Sequence, residues 1–329
     1  MNLSKKNVWK AAALTTAAAA AASVTSWWVT KNLVNIALDR EEPPAAQKAE
    51  RLISGKAKDE ENAFLRQVEE NGERLAARQS ETIRITSHDG ISLTGHWRPH
   101  PQAKRVIVAM HGWRSTWNRD FGTISNYWEQ ENCSVLYAEQ RGQNNSGGDY
   151  MGFGVLERYD CLDWVNWVNA RTGGQLPVYL CGISMGATTV LMASGLPLPQ
   201  NLRGIMADCG FTSPHDIWKY VTTENLHMHY GVKGQLADAM FRRKIRSGSN
   251  KFSTVDALRQ SHVPILLVHG TADQFVPVEM SYENYLACPG QRQLLIVPGA
   301  NHGMSYFMDT EKYEAAMADF WARNDTPDA

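Results

Sequence analysis

Cysteine is sparse in this chain. There are five in 329 residues (Cys133, Cys161, Cys181, Cys209 and Cys288), and no two form a Cys-x-x-Cys pair. That spacing excludes a zinc ribbon, a thiol-redox motif and a complete disulfide framework. Buried free thiols are expected instead, because Cys133, Cys181 and Cys209 lie in or beside apolar runs. An excess of either charge is also missing: 33 Lys and Arg face 34 Asp and Glu, for a net charge of -1. No electrostatic footprint for a nucleic acid follows from that balance. Internal repeats are absent. What remains, 43% hydrophobic and 20% charged residues, is the mixture of a soluble globular protein. The length suits one α/β domain with additional N-terminal material.

Residues 11–30 carry no charged side chain, and Lys5, Lys6 and Lys10 precede them. Twenty helical residues at about 1.5 Å each span roughly the 30 Å hydrocarbon core of a bilayer. Nine of the twenty are Ala, which makes the insertion signal weak. The lysines before the stretch, with Trp27 and Trp28 near its far end, favour an uncleaved single-pass anchor with the N-terminus in the cytoplasm and the rest of the chain outside. A cleaved signal peptide ending near Ala20 and Ala22, giving a secreted protein, and a soluble Ala-rich helix are the alternatives. The chain is therefore divided into residues 1–38 as anchor or signal, 39–80 as charged linker and helix, and 81–329 as the main domain.

From Glu81 onward, β-rich runs alternate with helix-length segments. Residues 82–86 and 91–97 read as a hairpin around His88-Asp89-Gly90. Further apolar runs at 105–110, 134–137, 178–181, 204–207, 265–269 and 294–297 are spaced for helical crossovers. Such a pattern implies an α/β domain with a mostly parallel sheet of about eight strands and helices on both faces. The interval 211–262 is too long for one crossover and reads as a small helical cap over the C-terminal edge of the sheet. His227 and His229 within it stand at i, i+2, a spacing that does not bring two ligands to one helix face, so no metal site is read there.

Gly182-Ile183-Ser184-Met185-Gly186 stands between the run ending at Cys181 and a helical stretch. A Gly-x-Ser-x-Gly turn of this kind presents a serine on a sharp strand-to-helix bend. Asp273 follows the run 265–269 and His302 follows the run 294–297, so Ser, Asp and His occur in the order of the α/β-hydrolase fold, each just past a strand end. The chemistry needs these three types. A serine hydroxyl attacks only when a neutral imidazole takes its proton, and a carboxylate must fix that imidazole's tautomer and stabilise its charged form. Ser184 is therefore the candidate nucleophile, His302 the base and Asp273 the orienting acid, with Asp208, at the end of an earlier strand, as the other candidate acid. His111-Gly112-Trp113, directly after the run 105–110, stands where half of an oxyanion hole belongs. The backbone N–H groups of Trp113 and Met185 are the candidate donors, and His111 reads as a structural residue holding the loop.

These motifs, together with Asn35–Asp39, Gly147-Gly148-Asp149-Tyr150 and Ala207–Gly210, resemble a bacterial family of α/β hydrolases with a single N-terminal membrane segment, grouped with serine aminopeptidase-like and cell-surface hydrolases. The resemblance implies esterase or peptidase-like activity through an acyl-enzyme, no cofactor, no metal, and a small-molecule or peptide substrate. One segment departs from it: relatives read Asp-x-Arg-Gly-His-Gly-x-Ser where this chain has Glu139-Gln140-Arg141-Gly142-Gln143-Asn144-Asn145-Ser146, which bears on substrate preference. A carboxylesterase is the favoured expectation. An aminopeptidase-like hydrolase and a non-catalytic binding protein on the same fold are the competing ones.

Overall fold

A computed structural model describes residues 25–41 and 59–325. Its centre is an eight-stranded sheet of β1 (Glu81–Thr86), β2 (Ser92–Arg98), β3 (Arg105–Met110), β4 (Cys133–Ala138), β5 (Val178–Ile183), β6 (Leu202–Asp208), β7 (Ile265–Gly270) and β8 (Arg292–Val297). The spatial order is β1-β2-β4-β3-β5-β6-β7-β8. Strand β2 runs antiparallel to both of its neighbours, and all later pairs are parallel. This is the α/β-hydrolase fold. Strands β3 and β4 are buried along their whole length, as continuous apolar runs must be when helices cover both faces.

Helix α1 occupies residues 25–38 and α2 is Asp59–Ala76. The short α3 (Trp117–Phe121) and α4 (Ser125–Gln130) precede β4. The crossover helices α5 (Glu157–Thr172) and α6 (Met185–Ala193) cover one face with a core that includes Trp164, Val165, Val190 and Leu258. On the other face Phe121, Trp128, Phe320 and Trp321 pack against Tyr137 and Tyr179. All five cysteines are buried and unpaired, as their scarcity implied.

The long interval between β6 and β7 divides in two. Helix α7 (Pro214–Tyr220), a π-turn (Val221–Asn225) and α8 (Gly231–Ile245) form the cap. Helix α9 (Thr254–Gln260) instead returns to the sheet, where Leu258 is fully buried in the core and Ala257 lies against Gly195. The cap is thus shorter than the 211–262 read from the sequence, because the last helix of that interval is the crossover a parallel strand pair requires. The chain then continues through β7, α10 (Glu279–Ala287), β8, the short α11 (Ser305–Met308) and α12 (Thr310–Asn324).

The N-terminal division also differs from expectation. Residues 25–38, assigned to the anchor or signal segment, and residues 39–41, assigned to the linker, pack on the hydrolase domain, with Val34 and Leu38 buried among Phe153, Phe211 and Phe241. Asp39 pairs with Tyr150 in an isolated antiparallel bridge. An uncharged stretch followed by polar residues hides this docking, because the buried face of α1 is only a few residues wide. No described helix is long and apolar enough to cross a membrane, and residues 11–24 of the expected span lie outside the described residues.

The 139–146 segment is fixed by a buried charge. The Arg141 guanidinium binds both Asp160 oxygens, at 2.7 and 2.5 Å, and both Asp89 oxygens, at 2.7 and 3.1 Å. It therefore joins the loop after β4 to α5 and to the β1–β2 turn. Removing one member of a buried ion-pair set strands its partners without compensation. Arg141→Met should lower the free energy of unfolding by about 3–5 kcal/mol, as measured by urea denaturation. A loss under about 1 kcal/mol would show that the set contributes little.

Candidate active site

Strand β5 and helix α6 meet at Ser184, whose φ of 56° and ψ of −118° lie where an L-residue is strained, at a cost of order 1–3 kcal/mol. The flanking glycines make the bend possible. A Cβ on Gly186 would fall inside the Met110 carbonyl of β3, and one on Gly182 would collide with the backbone of Gly186. The helix thus passes over the sheet with no side chain between, and Ser184 is left standing at the strand ends. The Ser184 N–H donates to the Asp208 carbonyl at 2.9 Å, which ties the bend to β6.

The three residues singled out from chain order come together here. His302 Nε2 is 2.9 Å from Ser184 Oγ, and His302 Nδ1 is 2.7 Å from Asp273 Oδ2. The separations in sequence are 118 and 29 residues, and it is the parallel sheet that brings their strand ends to one edge. Asp273 is held from every side. Its Oδ1 accepts the N–H groups of Phe275 at 2.9 Å and Val276 at 2.8 Å, and His269 Nε2 lies 3.2 Å from Oδ2. Burial alone would push this carboxyl up. The hydrogen bonds from His269 and His302, the imidazole charge and the Val276 N–H outweigh it and hold the group well below the usual carboxylate range, so it stays ionised.

Asp208 takes no part in that chain. Its Oδ1 accepts from Ser305 Oγ at 3.1 Å beneath the site, whereas the His302 Nδ1 contact goes to Asp273. Burial pushes Asp208 up to about 6, against the lowering influence of the His269 charge and of hydrogen bonds from Ser305 and Tyr313.

Gly112 of the loop after β3 sits against the bend, where an added Cβ would lie 3.4 Å from Ser184 Cβ. Its N–H donates to Asp120 at 2.6 Å. The next residue is Trp113, the first candidate oxyanion donor. Met185, the second, opens α6, where the first N–H groups have no acceptor within the helix. His111 is fully buried and holds this loop. Its Nδ1 lies 2.8 Å from the Gly112 carbonyl, and its Nε2 accepts the Gln140 N–H at 3.1 Å; burial lowers its pKa. Asn144 has a φ of 49°. Its Nδ2 donates to the Ser115 carbonyl at 3.0 Å. The departing segment therefore supports the Gly112–Ser115 loop, and it does not line the cavity.

Above Ser184 opens a cavity of about 180 Å3. Its walls come from α1 (Leu33, Val34, Ala37), from the cap, and from Trp113, Phe153 and Phe275. Among the described lining residues Lys233 is the only charged one and none is acidic. Two groups of metal-binding residue types lie close together among the described residues. Cys209 with Asp273 and His302 shares the site itself, and burial raises the Cys209 thiol well above its ordinary pKa, which opposes the thiolate a metal needs. In the other, His88 with Asp160 and Asp163, the Asp160 carboxylate is already taken by Arg141.

Sequence reasoning missed three supports. His269, in register with Asp273 at i, i+4, bonds Ser281 Oγ at 2.6 Å and the Val276 carbonyl at 3.0 Å, and it could have been flagged by its place in the motif that ends at Asp273. Asp120 and the α1 wall carried no local signal.

A consequence for stability follows from Asp208. A carboxyl raised in the folded state favours folding below its unfolded pKa, near 3.9, and loses that contribution as pH rises through its folded value of about 6. Asp208→Asn, neutral throughout, lacks this loss. The variant's stability relative to wild type should increase by up to roughly 3 kcal/mol between pH 4 and pH 7, read from urea unfolding at both pH values. A difference independent of pH would contradict the assignment.

The comparisons agree with this architecture. The Pyrococcus furiosus esterase Pf2001 superposes with a TM-score of 0.60 at 18% identity, over 77% of this chain and 96% of that one. The Pyrococcus horikoshii acylaminoacyl peptidase superposes at 0.58 and 16%, over 78% of this chain and 43% of that one. In sequence, the uncharacterized protein YqkD of Bacillus subtilis is 25% identical over 189 residues, and the match spans 57% of this chain and 61% of YqkD. The family profile that matches is named for prolyl oligopeptidase rather than for serine aminopeptidase. It covers residues 119–326, well over half of the chain, which includes Ser184, Asp273 and His302, and the chain belongs to the prolyl oligopeptidase family.

Proposed function

We propose that this serine hydrolase is a carboxylesterase that works through an acyl-enzyme, with Ser184 as nucleophile, His302 as general base, Asp273 as the acid that orients it, and the Trp113 and Met185 N–H groups as oxyanion donors. The observation that carries the reading is the unbroken path Ser184 Oγ, His302, Asp273 at 2.9 and 2.7 Å. His302 takes the Ser184 proton as the oxygen attacks the ester carbonyl. The imidazolium then protonates the leaving alkoxide, and the acyl-enzyme is released by water activated through the same imidazole. An ionised Asp273 favours the Nδ1–H tautomer, which leaves Nε2 free to accept.

The cavity supports an ester over an aminopeptidase substrate. A free α-ammonium group needs a carboxylate to hold it, and no described lining residue is acidic. The likeness to the esterase Pf2001 is consistent with this preference, and the acylaminoacyl peptidase represents the alternative. The N-terminal stretch is proposed as a membrane attachment that places the domain outside the cytoplasm, as in the serine aminopeptidase-like hydrolases it resembles. Its support is the lysines before residue 11, the absence of charge from 11 to 30, and the exposure of Trp27 and Trp28 on α1. Protease applied to intact cells should digest the domain, and a protected domain would reverse the orientation.

Ser184→Ala and His302→Ala should each lower kcat on p-nitrophenyl esters by about 10^4-fold or more while leaving the thermal midpoint close to wild type. Asp273→Asn should approach that loss and Asp208→Asn should not. A panel of aminoacyl arylamides beside the esters checks the substrate class: faster turnover of the arylamides would replace esterase with peptidase. Near wild-type turnover by Ser184→Ala would remove the triad altogether.

A further inference from the structure

Helix α1 lies outside the sheet and the cap, yet Leu33, Val34 and Ala37 face the same cavity as Ser184. Its last turn is clamped. The carbonyls of a helix C-terminus have no partner within the helix, and here side chains of the loop after β3 reach them. Trp113 Nε1 donates to the Ala37 carbonyl at 2.9 Å. The Arg114 guanidinium donates to the Ile36 carbonyl at 2.8 and 3.1 Å and to the Asp39 carbonyl at 2.7 Å, where its positive charge also complements the helix dipole. The Met151 N–H takes the Leu38 carbonyl at 2.7 Å, and the Arg40 N–H reaches Asp149 at 2.9 Å. From the cap, Lys244 pairs with Asp39 at 2.5 Å.

The residues that grip α1 are thus Trp113, itself the proposed oxyanion donor, and its neighbour Arg114, together with the 149–151 segment and helix α8. A wall tied to the loop beside Ser184 keeps a set distance from the reacting carbon, whereas a lid hinged on its own would not. Building on the esterase reading, we propose that α1 is the specificity wall of this enzyme: its apolar face sets the length of the acyl chain accepted, and the substrates are esters of uncharged, apolar acyl groups. Discrimination by such a wall is steric and hydrophobic, and one methylene more or less changes the rate by roughly 10-fold or more.

The test uses the full chain and two opposite substitutions at one half-buried position, Leu33→Trp and Leu33→Ala. The readout is the ratio of kcat/KM for p-nitrophenyl octanoate to that for the acetate, with labelling of Ser184 by a fluorophosphonate alongside. Filling the wall with Trp should lower the ratio roughly 10-fold, and shortening Leu33 to Ala should shift the optimum toward longer chains. General loss of fold would move both variants the same way and would leave the ratio unchanged. Wild-type protein that takes no fluorophosphonate would overturn the hydrolase reading and this inference with it. Labelled variants that keep the wild-type ratio, or wild-type protein that prefers acyl groups carrying a charge, would overturn this inference alone.

Discussion

The backbone contact between helix α6 and strand β3 is the constraint on which the site depends. Because Gly186 lies against the Met110 carbonyl, the helix can start directly at the end of β5, and the chain must reverse within one residue. That residue is Ser184, whose strained φ and ψ are a cost of order 1–3 kcal/mol met by the packing of α6, buried at every position. The reversal leaves the Ser184 hydroxyl at the strand ends, 2.9 Å from His302 Nε2. A side chain at either flanking glycine would separate helix from sheet, and Ser184 would be displaced together with the start of α6.

Asp273 and His302 are placed by a second arrangement, the ends of β7 and β8. Asp273 lies in a turn whose own N–H groups, at Phe275 and Val276, point back at its carboxylate, and the hydrogen bonds from His269 and His302, with a smaller part from the Val276 N–H, offset the penalty of burial. His269, fully buried at the end of β7, adds a contact to the same carboxylate and is itself fixed by Ser281 and the Val276 carbonyl. The contrast with Asp208 is instructive. Both carboxyls are buried, and both feel the charge of the His302 imidazole. Asp273 meets two backbone N–H groups and an imidazole at 2.7 Å, whereas Asp208 meets hydroxyls. Burial therefore wins at Asp208 and loses at Asp273, which leaves one of the two suited to hold a positive charge in place.

Much of this was legible in the sequence, for reasons that also explain what was not. All eight strands were visible, β1 and β2 as a hairpin around a turn and the other six as the apolar runs that a sheet covered on both faces demands, and Ser184, Asp273 and His302 stood out because strand ends and turn glycines mark them. A loop beside Ser184 was readable from His111-Gly112 after β3. Docked helices were not. The buried face of α1 consists of a few small or aliphatic residues in a stretch whose uncharged character reads equally well as a membrane segment, and α9 could not be told from the cap because both are short and mixed in polarity. Partners such as Trp113 with Ala37 are 76 residues apart and leave no local pattern.

The division of labour between these parts bears on the segment where this chain departs from its relatives. Glu139 accepts from His96 at 2.8 Å and from the Asn145 backbone N–H at 2.5 Å, Gln140 bonds the Thr189 hydroxyl at 3.1 Å, and Arg141 is enclosed by two carboxylates. Each of these groups faces inward, and none contributes to the cavity wall. A change of sequence there acts through the stiffness of the Gly112–Ser115 loop, because His111 and Asn144 are its points of support. The cavity above Ser184 is lined by α1, the cap and Phe275 instead. Apolar walls on elements outside the sheet can therefore vary in shape without moving the strand ends, while a substitution in the 139–146 segment would alter the loop beside Ser184 before it altered what the pocket admits.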